Sequence, residues 1–151
     1  MSQYGTPYTK GSGALFPAFD FQGALPVVSS VIYDNGTGSL NTVNYAYEGA
    51  KIHLQGKGFL CMSKQTVTDV QSNMVTESHA SYHPILYYPQ QIYLANKHAT
   101  VTLSSTANMW LHHTTATGVI MPYISSQLQL NSLTGHSVAQ TFTYNSTNGD
   151  R

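Results

Sequence analysis

The sequence has very few charged residues. Only 8% of its 151 residues are Asp, Glu, Lys or Arg, whereas about a quarter are charged in ordinary soluble domains. The net charge is zero before histidine is counted, and the cations are scattered singly along the chain. Nucleic-acid binding needs clustered cations that displace counterions, so the composition argues against that function. A neutral surface rich in hydroxyl, amide and phenol groups instead favours a particle component or an extracellular binding module.

Cysteines and long apolar runs are also scarce. Cys61 is the only cysteine, which excludes an intrachain disulfide and a thiolate metal cluster. Because it lies in the apolar run 58–62, we expect it to be a buried strand residue. No apolar stretch approaches the 18 or so residues of a membrane-spanning helix. Residues 1–7 lack the regions of a secretory signal, so we expect either a removed signal or folding in the cytoplasm.

Good helix formers are scarce, and from residue 27 onward apolar and polar residues alternate. Leu128 and Leu130, for example, alternate with Gln127 and Gln129. Such a period of two is typical of strands with one covered face. We therefore predict that residues 27–144 form an all-β domain, an antiparallel β-sandwich with the jelly roll as its favoured form. Its core is expected at Val43, Tyr45, Tyr47, Ile52, Leu54, Val101, Leu103, Leu128, Leu130, Phe142 and Tyr144.

The two ends of the chain differ from this domain in composition. Residues 1–26 contain three of the six prolines and four glycines, a density that forbids a regular helix or a central strand. This segment also contains five aromatic residues that are too large to leave in water, namely Tyr4, Tyr8, Phe16, Phe19 and Phe21. We predict an extended N-terminal arm that lays these rings on a neighbouring molecule; the alternative is that it covers its own domain. Residues 145–151 are expected to form a polar C-terminal tail.

Histidines and one tryptophan are the candidates for ligand binding. His79 and His83 share a face if they lie on one strand, and His112 or His113 could approach them across a sheet. Zinc needs three or four converging ligands, and the His-x-His and Glu spacing of metal-binding cupins is absent, so we expect no metal or other cofactor. Trp110 could stack on a sugar ring or anchor a core. The candidate ligand-binding residues are therefore Trp110, His112, His113, His79 and His83.

No pattern of catalytic residues is present. The six carboxylates are scattered, and Gly-x-Ser-x-Gly, the sequence of a nucleophile elbow, does not occur. The Gly56–Gly58 segment lacks the flanking residues of a phosphate-binding loop and is more typical of a bulge or a close backbone approach. We therefore expect the protein not to be an enzyme.

The organisation of the chain, an aromatic arm followed by a neutral all-β domain, resembles small decoration and minor structural proteins of bacteriophage and other viral capsids. The resemblance is one of overall character. It implies a virion structural protein, assembled in the host cytoplasm, that stabilises a larger capsid or shell protein through a neutral interface rich in Tyr, Ser and Thr. A homo-oligomer is expected, with a trimer favoured. The alternative is an extracellular lectin or adhesion module that binds glycans; neither interpretation involves nucleic acid or a membrane.

Overall fold

The computed structural model describes residues 7–24 and 26–144. Every regular element in these residues is a strand, which confirms the predicted all-β class. None of the described residues forms a helix that could span a membrane. The ten strands are β1 (Tyr8–Thr9), β2 (Ala18–Asp20), β3 (Ser30–Asp34), β4 (Leu40–His53), β5 (Gly58–Asp69), β6 (Met74–Tyr82), β7 (Pro89–His98), β8 (Val101–Thr114), β9 (Ile120–Asn131) and β10 (Ser137–Thr141).

All ten strands belong to one mixed sheet. From β4 to β10, strands that are consecutive in sequence are neighbours in the sheet and pair antiparallel. The short strands β1, β2 and β3 pair with successive parts of the other edge of β4, and β1 is the only parallel one among the described strands. The predicted sandwich and jelly roll are not confirmed, because the described residues form one sheet and contain no second one.

The turn between β3 and β4 follows from its own residues. Gly36 and Gly38 have φ angles of 78° and 84°, in the left-handed region that favours glycine. Asp34 Oδ1 accepts a hydrogen bond from the N–H of Gly36 at 2.6 Å, and Asn35 Oδ1 accepts one from Thr37 at 2.9 Å. Such local bonds from Asp and Asn side chains stabilise tight turns. The Asp-Asn-Gly-Thr-Gly sequence at 34–38 predicts such a hairpin turn, and the antiparallel pairing of β3 with β4 confirms it.

Few side chains are buried by this single layer. The buried hydrophobic residues among those described are Ala18, Ala50, Leu60, Cys61 and Ala95. Leu60, Cys61 and Ala18 form a small cluster that partly buried residues, including Tyr82 and Tyr87, complete. The expected burial of Cys61 is confirmed, and burial raises the pKa of its thiol.

None of the predicted core positions is fully buried: seven of the eleven are half-buried, and Leu54, Val101, Leu128 and Leu130 are exposed. Leu128, for example, is 48% exposed. The side chain that is buried near Leu54 is that of His53, whose ring lies 4.4 Å from the ring of Tyr87. The physical reason is that one sheet layer separates polar from apolar side chains but leaves both of its faces uncovered.

The described part of the N-terminal arm lies on its own sheet. Lys51, in β4, forms an ion pair with Asp20 and donates a hydrogen bond to the carbonyl of Ser12 at 3.0 Å. Burial raises the pKa of Asp20, but hydrogen bonds from Lys51 and from the N–H of Ala14 outweigh it, so the pKa is lower than usual. These contacts hold the loop between β1 and β2 against the end of β4.

Candidate functional site

The last three strands contain no formally charged side chain. No Asp, Glu, Lys or Arg occurs between Lys97 and Asp150, a stretch that includes all of β8, β9 and β10. Natural sheets commonly place charged side chains where they must not associate, because a charge resists transfer from water into an interface. This end of the sheet is therefore chemically suited to contact with other protein.

Five large apolar side chains of these strands share one face of the sheet. Ala107 pairs with Leu128 in register, Met109 pairs with Ser126, and alternate residues of a strand lie on the same face. The same reasoning extends along both strands past a bulge at Met109 and Trp110. We call the resulting set the apolar surface: Met109, Leu111, Met121, Leu128 and Leu130. Each of these residues is 38–68% exposed.

A shallow groove lies within the apolar surface. It has a volume of about 350 Å³, and its lining includes Ala107, Met109, Leu128 and Ala139. Small alanine side chains between larger ones produce a surface with a depression. The side chains of a facing layer can interdigitate with a surface that has such depressions.

Amides and hydroxyls line the opposite face of the same strands. Gln127 donates a hydrogen bond to Asn108 Oδ1 at 2.9 Å, and Gln129 donates one to Gln127 Oε1 at 2.8 Å. Nearer the centre of the sheet, Asn96 Nδ2 donates to Ser104 Oγ at 3.3 Å. These neutral side chains satisfy one another's hydrogen bonds, and the register places Trp110, Ile124 and Val138 on the same face beside them.

An ionic network lies on the same face as the apolar surface, toward β4. Glu77 is at its centre, with Lys97 Nζ 2.6 Å away and Lys64 Nζ and His79 Nε2 each 3.8 Å away; Glu48 lies 3.4 Å from Lys64. The hydrogen bond from Lys97 lowers the pKa of Glu77, and the charge of Lys64 adds to this effect. The face is therefore charged at one end and apolar at the other.

Three rings form an aromatic–histidine cluster where β6 ends and β7 begins, beside β8. The rings of His83 and Tyr88 are stacked with their centroids 5.0 Å apart, and the ring of His112 meets that of His83 edge-on at 5.2 Å. The Tyr88 hydroxyl lies 3.5 Å from His112 Nδ1. The predicted approach of His83 and His112 is therefore observed, while Tyr88 was not among the predicted residues.

The protonation of His83 argues against metal binding by this cluster. His83 Nδ1 accepts hydrogen bonds from the N–H groups of Leu86 at 3.1 Å and Ile85 at 3.3 Å. In the neutral ring the proton must then be on Nε2, so neither nitrogen offers a free lone pair to a metal. Across residues 7–24 and 26–144, no three His, Cys, Asp or Glu side chains come together as metal ligands.

The other predicted ligand-binding residues lie apart from this cluster. Trp110 is half-buried, and its Nε1 donates a hydrogen bond to the carbonyl of Gln91 at 2.9 Å. His79 belongs to the ionic network, and His83 lies beyond the end of β6, in the turn before β7, so the two do not share a strand face. His113 is on the opposite face from His112, where it stacks on Tyr144 at 4.5 Å.

The aromatic residues predicted to form contacts in the arm lie in environments that differ from one another. Tyr4 lies outside the described residues. Tyr8 donates a hydrogen bond from its hydroxyl to the carbonyl of Phe21, and Phe19 pairs with Ile52 across β2 and β4.

Among the described residues of the arm, the loop between β1 and β2 exposes two large apolar side chains, Leu15 and Phe16, which we call the arm tip. Leu15 and Phe16 are 80% and 75% exposed, and both line a groove of about 300 Å³ beside Tyr82 and Tyr87. Contact of the arm with another molecule therefore remains a prediction, and the tip is its most suitable point.

The sequence analysis did not identify the apolar surface. It predicted Leu128 and Leu130 as core residues and made no prediction for Met109, Leu111 and Met121, because local patterns do not show whether a face lacks a covering layer. The charge-free stretch between Lys97 and Asp150 was the available signal.

A comparison of this chain with protein-family models, curated proteins and solved structures finds no match.

Proposed function

We propose that the chain is a non-enzymatic structural protein whose sheet forms part of a larger protein shell. The observation that carries this proposal is the apolar surface, an uncharged and exposed set of side chains on a single sheet layer. Contiguous apolar surface of this kind marks contacts with protein or membrane. Its groove, which Ala107 and Ala139 help to line, favours a protein layer, because side chains of a packed protein layer can fill such a depression.

In this proposal the second layer of the predicted sandwich comes from another protein chain. Sheets in sandwiches pack about 10 Å apart, with the side chains of their inner faces interdigitated. Full burial of a Leu or Met side chain contributes about 1.5–3 kcal/mol, so the half-exposed side chains of the apolar surface would each contribute about 1 kcal/mol on contact. This gain has to exceed the cost of ordering two chains relative to each other.

The specific form that we propose for the shell is a virus particle. The chain would be a capsid decoration protein or a minor capsid component, assembled in the host cytoplasm as a homo-oligomer, with a trimer favoured, on a larger capsid protein. The neutral composition supports this form, since subunits could pack with little desolvation of charge. The exposed arm tip at Leu15 and Phe16 offers a second point of attachment.

A lectin is the second candidate function, and one observation favours it. Trp110 is fixed by its hydrogen bond to Gln91 and lies on the face that carries Asn108, Gln127 and His112. An aromatic ring beside amide and imidazole groups is the arrangement that could bind a sugar. The apolar surface has no role in this alternative, so the structural function accounts for more of the molecule.

The structural proposal predicts that assembly of the purified protein is insensitive to salt. Light scattering should give the same oligomer mass at low ionic strength and in about 1 M NaCl, where charges are screened beyond about 3 Å. The reason is that β8–β10 contribute no charged side chain to the contact. Dissociation in high salt would contradict the proposal, and a stable monomer that binds glycans would favour the lectin.

A further inference from the structure

The outer edge of β10 is open in the described structure. β10 ends the sheet, and none of the described strands pairs with its outer side. At the opposite end, three short strands cover the edge of β4. An uncovered edge presents N–H and C=O groups that can pair with another strand.

The pairing between β9 and β10 identifies which groups point outward. The carbonyl of His136 accepts a hydrogen bond from Asn131, and the N–H of Phe142 donates one to Ser125, so even-numbered residues of β10 face β9. Backbone groups alternate in direction along an antiparallel strand. Ser137, Ala139 and Thr141 therefore direct their N–H and C=O groups away from the sheet.

The residues of β10 do not protect this edge. Natural edge strands avoid unwanted pairing by means of charged side chains, proline or bulges. Ser137–Thr141 contains neither a charge nor a proline, and its register with β9 is regular.

We propose that β10 pairs antiparallel with β10 of a second copy, with Ala139 on the two-fold axis. In this register Ala139 faces Ala139, and Ser137 faces Thr141. Every outward N–H of both strands then has an outward carbonyl opposite it. A register with Val138 on the axis would instead leave the outward groups of Thr141 without a partner in β10 of the second copy. Because all facing side chains are small and neutral, no like charges oppose each other.

The side chains beside the edge support a second copy as the occupant. Ala107, Leu128 and Ala139 form one register row on the face of the apolar surface, and this row ends at the open edge. A two-fold axis at Ala139 continues the row into the same row of the second copy, because an isologous contact uses one patch twice. The two apolar surfaces thus become one.

This inference rests on the proposed function; a two-fold contact does not close a trimer, so it either joins two trimers or replaces the favoured trimer by a dimer. An edge of five residues buries less than the roughly 1,200 Å² of a stable interface, so further contacts through the apolar surface must hold the assembly together. The contribution of β10 is to fix the register and orientation of two subunits within it.

Cysteine cross-linking of the full chain tests the register. Paired Cα atoms on the axis would lie about 5.5 Å apart, within the range that a disulfide spans. After mild oxidation, Ala139→Cys should form covalent dimer at a yield about 10-fold or more above Val138→Cys, because Val138 lies opposite Gln140 of the second copy and not opposite Val138. The wild-type chain is the control for Cys61, which is buried.

Light scattering on the same samples separates the possible outcomes. An assembled protein in which Ala139→Cys does not cross-link, or in which Val138→Cys cross-links better, overturns the β10 pairing and leaves the structural function intact. A chain that is monomeric in all of these samples overturns both the β10 pairing and the structural function. Circular dichroism of each variant establishes that its sheet has formed.

Discussion

A chain with Asp in place of both Met109 and Leu128 should fold but fail to assemble. The two residues are 68% and 48% exposed, so in the free chain the new carboxylates remain in contact with water. In an assembled shell the same carboxylates would be buried without partners. At about 2 kcal/mol for each, the dissociation constant of the assembly should rise about 1000-fold. Sedimentation equilibrium measures this change, and circular dichroism tests whether the strands are retained.

A charge-matched variant provides the control for this experiment. Ala116→Asp with Thr117→Asp adds the same two charges in the exposed turn between β8 and β9, outside the apolar surface. This control should assemble like the wild type. If the Met109 and Leu128 variant assembles equally well, the apolar surface is not a contact surface, and the structural proposal loses the observation that carries it.

The second large effect is expected at Leu60, the largest apolar residue of the small buried cluster. Leu60 is only 4% exposed and packs with Ala18 and Cys61. Leu60→Ala should lower the free energy of unfolding by about 2–4 kcal/mol, because it removes apolar contacts and leaves a cavity. That is a large share of the 5–15 kcal/mol that stabilises a typical domain.

Leu54 offers a direct comparison, since the sequence alternation predicts it in the core while the structure leaves it 55% exposed. Leu54→Ala should change the free energy of unfolding by less than about 0.5 kcal/mol. Urea unfolding of both variants gives the two values. Equal losses at Leu54 and Leu60 would show that the burial described here is wrong.

The sequence predicted well those features that depend on neighbouring residues. The turn at 34–38 is determined by its own Asp, Asn and Gly side chains, so it could be identified without the rest of the fold. The alternation of Leu128 and Leu130 with Gln127 and Gln129 correctly predicted a strand with one apolar and one polar face.

What covers a face could not be predicted in the same way. Alternation shows which residues lie together, but a covering layer can come from the same chain or from another one. A bulge also changes which residues pair: Lys51 pairs with Cys61 and Ile52 with Phe59, so Leu60 of β5 is an extra residue, and the adjacent Leu60 and Cys61 are both buried.

Part of the candidate site could also be predicted from the sequence. His83 and His112 were expected to meet because adjacent strands bring distant residues together, and they do. His79 was separated from them because His83 lies in the turn after β6 and not in the strand, and His113 was separated by the alternation of β8. Tyr88 was missed because its position depends on the turn between β6 and β7, which folds around the backbone hydrogen bonds of His83.

The structural function implies that the sheet is more stable when other protein covers it than when the chain is free. The most direct test is the melting temperature of the wild-type chain as a function of its concentration. A hundredfold increase in concentration stabilises an associating protein by about 2.7 kcal/mol, which corresponds to a rise of about 5–10 °C for a chain of this length. We predict a rise of this size. A melting temperature that does not change over this range, in a chain that sediments as a monomer, would contradict the account.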